Sequence, residues 1–250
     1  MKAVRKKRPT RATRSRAGKA PPVAAARQRV LIVEDHPVTR MGLTALINGQ
    51  TDLVVCGEAA DSATALGLLP GCRADLIVVD LFMPGRSGVE LIKDLRSQDP
   101  KIKILVLSMQ EESFYGLRVL HAGARGYVMK SAGGDCVLAA MRQVLAGGSF
   151  VSSALSDQII DDLGERPAGH SQTRVDQLTD REFEVFRLIG QGNDTHAMSD
   201  QLHLSPRTVD VHRANIRKKL GLPHSTALVQ YAARWSESDS TGRSAPVEKS

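Results

Sequence analysis

At 250 residues, with 42% hydrophobic and 24% charged side chains, the chain has room for two modest domains and the composition of a globular protein. Its apolar runs, such as LIVV and ILVL, are strand-sized; none approaches the roughly 20 residues of a membrane span, and no signal-peptide core follows the basic start, so a cytoplasmic protein with no membrane partner is expected. The formal net charge of +7 belongs to one end, because residues 1 to 29 hold eleven Lys and Arg and no acid.

Residues 1–28 combine this charge with Pro9, Pro21 and Pro22, lack apolar periodicity, and read as a disordered basic tail. Between residues 29 and 150 the pattern alternates. Short apolar runs at 30–33, 53–56, 76–79, 104–107 and 126–129 are separated by segments of helical spacing, among them 38–48, 87–97 and 134–146. Five strands alternating with helices predict an α/β unit, a flavodoxin-like, doubly wound, five-stranded parallel sheet covered on both faces. Cys56, Cys72 and Cys136 form no CxxC and read as small buried hydrophobes rather than as a disulfide framework or zinc ligands.

Residues 151–175 carry Gly164, Pro167, Gly169 and Ser171 and read as a linker, part of it open to helix. Residues 176–236 then show four short helices, an all-α unit. The first follows Thr179, a fitting N-cap, and has apolar residues at 178, 183, 186 and 189 with Gly190 or Gly192 as the stop. The others cover about 194–202, 206–220 and 225–235, with a tight turn at His203-Leu204. Residues 237–250 are polar and are expected to be disordered.

In open parallel sheets, ligands collect beyond the carboxyl ends of the strands. Glu34, Asp35, Asp80, Ser108 and Lys130 all follow directly on predicted strands, so the sheet gathers them at one edge. Three carboxylates there call for a compensating cation, and all-oxygen ligands with positions left for phosphate favour Mg2+. Asp80 is then the attacking group, while Lys130 and Ser108 hold the equatorial oxygens of a transferring phosphoryl group.

The acidic pair Glu34-Asp35, Asp80 in DLFMPGRSG, Ser108, and Lys130 in GYVMK together resemble, in order and spacing, the receiver domain of bacterial two-component regulators over residues 29–150. The resemblance implies Asp80 as phosphoacceptor, with Asp35, Asp80 and the Phe82 carbonyl as direct Mg2+ ligands and Glu34 acting through water. It also implies Ser108 and Tyr127 as the hydroxyl and aromatic positions that rearrange on phosphorylation, a sensor histidine kinase as partner, and self-phosphorylation and self-dephosphorylation as the domain's own chemistry. Phe82 stands two residues after Asp80, where phosphatases with an aspartate nucleophile place a second acid, so a metabolic enzyme is disfavoured.

In SPRTVDVHRANIRKKLG, Ser205 is a fitting N-cap and Pro206 suits the first helical position. Val209, Ile216 and Leu220 form an inward stripe. Between residues 205 and 219 five Lys and Arg stand against one acid, Asp210, which suits a helix near phosphates. His212 has no metal-spaced partner and reads as a packing or phosphate-contacting residue. Residues 176–236 resemble the LuxR-type helix-turn-helix of NarL/FixJ-class response regulators. By that resemblance Asp210, Val211 and Ala214 face the bases of promoter DNA, with Arg207, Thr208, Arg213, Arg217 and Lys218 completing the interface mostly at phosphates. Asp210 and Ala214 depart from relatives that carry basic residues there. The resemblance further implies a homodimer when phosphorylated or DNA-bound, and RNA polymerase as a further partner. The expected protein is a transcriptional regulator switched by phosphorylation; the alternative is a DNA-binding regulator whose receiver works without it.

Overall fold

The computed structural model of the protein describes residues 26–83, 86–164 and 174–240. The basic tail up to residue 25, Pro84 and Gly85 of the turn after Asp80, and the tail from residue 241 lie outside the described residues.

Strands β1 (Gln28–Val33), β2 (Leu53–Ala59), β3 (Leu76–Val79), β4 (Lys103–Ser108) and β5 (Gly126–Met129) form one sheet in the order β2-β1-β3-β4-β5, with every pairing parallel. Parallel neighbours need crossovers, and α1 (Pro37–Asn48), α2 (Ser62–Cys72), α3 (Gly88–Gln98), α4 (Glu112–Ala122) and α5 (Gly134–Leu145) supply and follow them, leaving an apolar core on each face of the sheet. Burial on both faces explains the unbroken apolar runs: Leu76, Ile77, Val78 and Val79 are all buried. The sheet also takes in residues expected in the tail. Gln28 opens β1, and the Arg27 Nε donates to the Leu53 carbonyl at 2.7 Å.

Helix α6 (Ser153–Gly164) occupies the first part of the expected linker, with Leu155 buried against Gly116 of α4 and the Ser152 N–H donating to the Glu112 carboxylate at 3.1 Å. After a 3-10 turn at Arg174–Gln177 come α7 (Asp180–Gly190), α8 (Thr195–Leu202), α9 (Pro206–Leu220) and α10 (Ser225–Ser240). Their starts are chemically marked. Thr179 and Glu182 form a reciprocal capping box, and Asp194 and Ser205 accept from Ala197 and Thr208 backbone N–H groups. His203 adopts a left-handed turn (φ 51°) between α8 and α9, and Gly221 (φ 68°) ends α9.

Two further expectations are corrected. Helix α10 runs past Trp235 to Ser240, into the stretch expected to be disordered. The Trp235 ring lies among Phe114, Phe183 and Phe186, with centroids 6.0, 5.6 and 5.5 Å away, so tertiary contacts anchor a helix end that has no apolar pattern of its own. The cysteines are not all free. Cys56 and Cys72 are bonded, with Cα atoms 5.6 Å apart, while Cys136 remains a thiol. A bulge brings the pair together: Val30 faces Val55 and Leu31 faces Gly57, which leaves Cys56 as the extra residue of β2.

Gly88, at the start of α3, is required by the backbone around it. A Cβ there would lie 2.5 Å from the Leu81 Cα and 2.8 Å from the Asp80 carbonyl oxygen. Gly88→Ala is therefore expected to lower unfolding stability by about 1–3 kcal/mol, read as a shift in urea midpoint at unchanged slope.

Candidate functional site

Register builds the acidic edge. Val33 of β1 pairs with Val79 of β3, so the next residues on the two strands, Glu34 and Asp80, emerge side by side. Both are almost fully buried, and Lys130 reaches in from the end of β5 to bridge them, its Nζ 2.7 Å from Glu34 Oε2 and 2.8 Å from Asp80 Oδ2. The Phe82 N–H donates to Asp80 Oδ1 at 3.3 Å, and the Arg40 guanidinium steadies the adjoining backbone by donating to the Glu34 carbonyl at 2.6 Å. Asp35 is partly buried and accepts from the exposed His36, its Oδ1 2.9 Å from the imidazole Nδ1. One ligand atom from each of Glu34, Asp35, His36 and Asp80 lies within 4.8 Å of the others. His36 is the one member of this group that the sequence reading passed over; its adjacency to the acidic pair was the available signal.

Burial pushes the Asp80 carboxyl up to about 6, with the Glu34 charge adding to the effect and Lys130 opposing it. Burial acts against the Lys130 ammonium too, yet its two carboxylate partners outweigh that and hold its pKa above the ordinary value. The edge thus carries more negative charge than one lysine neutralises, and its carboxylate donors suit a hard divalent cation.

Ser108, fully buried, accepts the Gln110 N–H at 3.2 Å, and the Tyr127 hydroxyl donates to the Gln110 carbonyl at 2.8 Å. Burial raises the Tyr127 pKa despite its hydrogen bond with Ser108, so the phenol remains a neutral donor. Gln110 therefore joins the two positions expected to rearrange. Its side chain extends the connection, because Gln110 Oε1 accepts from Arg187 of α7 at 3.1 Å.

This contact belongs to a wide junction between the sheet unit and the C-terminal helices. The Arg187 guanidinium carbon stacks 3.8 Å from the Phe114 ring centroid and 5.0 Å from that of Tyr115. Ser87, the N-cap of α3 in the segment after Asp80, donates to Glu184 at 2.6 Å. Burial pushes the Glu184 carboxyl up while Arg181 and Ser87 hold it down, the net being upward. Lys93 pairs with Asp180 at 2.6 Å, and Arg118 donates to the Val175 carbonyl at 3.1 Å while covering the Phe183 ring at 4.0 Å. An edge-to-face aromatic series runs from Phe82 to Tyr115 to Phe183 to Trp235. Apolar spacing had shown one face of α7, yet residues 180–189 are all buried. The charges in DREFEVFR were the only hint of a second contact face, and they read equally well as a solvated surface.

The acidic edge opens into a cleft of about 300 Å³ shared by the two units and lined by Asp35, His36, Phe82, Gln110, Arg187, Gln191 and His203, among others. Away from it, α9 buries Val209, Ile216 and Leu220 as its pattern required. Arg207, Asp210, Val211, Ala214 and Lys218 are exposed, and Arg213 and Arg217 are half-buried, donating to Thr195 and Ser225 at 3.3 Å each. Thr208 is engaged at the N-cap, 2.7 Å from the Ser205 hydroxyl. His212 is half-buried, its Nδ1 lacks a hydrogen-bond partner, and burial together with Arg181 lowers its pKa, so it packs as a neutral ring. Among the described residues no helix is long and apolar enough to cross a membrane.

Residues 30–142 match the family described as response regulator receiver domain, and residues 176–232 match the bacterial regulatory proteins of the luxR family. The chain is 31% identical over 210 residues to the oxygen regulatory protein NreC of Staphylococcus aureus (strain JH9), covering 82% of this chain and 97% of that one. A LuxR-family two-component response regulator from Aurantimonas sp. SI85-9A1 aligns with 56% of this chain and all of its own at 33% identity and a TM-score of 0.51. RcsB from Salmonella enterica serovar Typhimurium, solved bound to promoter rprA in the presence of the phosphomimetic BeF3-, aligns with 82% of this chain and 98% of its own at 25% identity and a TM-score of 0.53. With a receiver sheet carrying its acidic edge, a helix-turn-helix unit behind it and a relative matched over almost its whole length, the chain belongs to the two-component response regulators of the NarL/FixJ type.

Proposed function

We propose that the protein regulates transcription in the cytoplasm, through phosphorylation of Asp80 by a sensor histidine kinase and DNA binding by α9. The observation that carries this reading is the convergence of Glu34, Asp80 and Lys130, with Asp80 nearly buried and its pKa raised to about 6. Such a carboxylate is costly as structure and useful as a nucleophile. Asp35, Asp80 and the Phe82 carbonyl would hold Mg2+, with Glu34 acting through water. The ion supplies charge neutralisation between the carboxylate and an incoming phosphoryl group. Lys130 holds a phosphoryl oxygen, and Ser108 leaves the Gln110 N–H to bind another. Tyr127 follows, and its hydrogen bond to Gln110 is lost.

The output follows from Gln110. Its carbonyl faces Tyr127 and its amide oxygen faces Arg187, so movement at Ser108 and Tyr127 loosens the grip of α4 on α7 and α10. The exposed basic face of α9 is not what the receiver covers; Trp235 of α10 is, through Phe114. We read α10 as the helix freed for pairing, so that a dimer presents two copies of α9 to adjacent half-sites of promoter DNA, with RNA polymerase a further contact.

The test is incubation of the full chain with Mg2+ and acetyl phosphate, followed by intact mass and light scattering. A phosphoryl-sized mass gain that disappears in Asp80→Asn, accompanied by dimer formation, is the expected result. No Asp80-dependent gain refutes the reading, and DNA regulation preserved in Asp80→Asn favours a phosphorylation-independent receiver. For the DNA face, Lys218→Ala is expected to weaken binding equally across sequences and to lower the salt slope by about 1, measured by fluorescence anisotropy at several ionic strengths.

A further inference from the structure

We propose that Cys56 and Cys72 are a reversible redox modification site that exchanges with low-molecular-weight thiols and disulfides. The two residues are bonded with Cα atoms 5.6 Å apart, inside the span a disulfide bridges without moving the backbone. The bulge that leaves Cys56 unpaired on the edge strand β2 aims its side chain at α2. Gly57 beside it makes room, since a Cβ there would stand 3.1 Å from the Cys72 Sγ. Cys56 is half-buried and within reach of a small thiolate, whereas Cys72 is buried and serves as the leaving sulfur.

Other contacts hold the same segment in place. The Cys72 carbonyl accepts from Arg29 Nε at 2.8 Å, and Asp75 exchanges backbone and side-chain hydrogen bonds with Arg29 at 2.8 Å each, so the end of α2 stays on β1 when the sulfurs part. A DNA-binding regulator works beside DNA, in a compartment whose thiols are kept reduced, and disulfides found there are as a rule transient and redox-sensing. Oxidation begins when the Cys56 thiolate attacks a disulfide RSSR and expels one RS−. The Cys72 thiolate then attacks Cys56 Sγ and expels the second. Two protein thiols and RSSR become one protein disulfide and two RSH, and excess RSH reverses both steps.

The site lies close to the acidic edge. From Cys56 the strand runs to Glu58, 3.5 Å from the Arg40 that holds the Glu34 carbonyl, and to Ala59, whose carbonyl accepts the Glu34 N–H at 3.0 Å. Oxidation therefore clamps the strand end against which Glu34 is set, a coupling that rests on reading Asp80 as the phosphoacceptor.

The full chain would be equilibrated with glutathione at varied oxidised-to-reduced ratios, quenched in acid, unfolded, alkylated and weighed. The expected outcome is one two-electron transition between three alkylated cysteines and one, with a Cys56–Cys72 linked peptide. Cys136→Ser should keep the transition and Cys56→Ser should lose it. Three free thiols at every ratio, a linkage that survives excess dithiothreitol in the native protein, or a transition retained in Cys56→Ser overturns the proposal. Uptake of phosphoryl groups from acetyl phosphate is expected to differ about fivefold between the two forms and to be equal in Cys56→Ser under both conditions. Equal rates in the wild type overturn the coupling, whereas no uptake by either form counts against Asp80 alone.

Discussion

Asp80→Asn is expected to abolish phosphoryl uptake completely and, in the absence of divalent cations, to stabilise the fold by about 1–3 kcal/mol at pH 8. Unfolded, this carboxyl ionises near its ordinary value of 3.8; folded, burial and Glu34 raise it to about 6. Between those values the folded state keeps a proton that the unfolded state has released. The stabilisation from that proton is complete below 3.8 and is lost as pH rises through 6, so at pH 8 the folded protein carries the whole cost of a buried anion. Asparagine fills the same space without the charge. Lys130 keeps Glu34 as a partner at 2.7 Å, so no cation is stranded. Urea midpoints of both proteins at pH 4.5 and pH 8 provide the check. The variant's advantage should be large at pH 8 and small at pH 4.5, and an advantage equal at both pH values contradicts the account. Added Mg2+ should stabilise the wild type more than the variant, because the variant has lost a ligand charge.

The second large effect is placed at the junction. Arg187→Ala removes a cation that is sandwiched over Phe114 at 3.8 Å and donates to Gln110 at 3.1 Å. A desolvated stacking contact and a charge-assisted hydrogen bond together amount to about 2–4 kcal/mol of junction stability. Their loss should open the closed arrangement without phosphorylation. Two measurements follow. DNA affinity of the unphosphorylated variant should rise about tenfold or more, and the radius of gyration from X-ray scattering should increase. Unchanged affinity together with an opened shape would mean that the junction holds the domains without restraining DNA binding. The conservative Arg187→Lys keeps a charge but not the planar stack or the same fork, and should fall between the two.

The acidic edge was legible in the chain because each of its members follows an apolar run, and strand ends in a parallel sheet share one side. Glu34, Asp80 and Lys130 meet for that reason alone, and the register of β1 and β3 sets the two acids next to each other. Helix ends were legible too. Thr179 and Ser205 act within a turn of where they stand, so their chemistry needs no knowledge of the rest of the fold.

Long-range packing decided the remainder. A disulfide requires two sulfurs to meet, and Cys56 was aimed at Cys72 by a one-residue bulge that strand patterning does not reveal. Helix α10 extends to Ser240 because Trp235 is gripped by rings from α4 and α7. Most of all, Glu184 and Arg187 lie on the face of α7 that its apolar period assigns to solvent, and they became buried partners of Ser87 and Gln110 only when two units closed on one another. Periodicity reports the face a helix turns to its own domain. A face turned to a second domain can be charged and paired, and only the tertiary structure brings its partners into view.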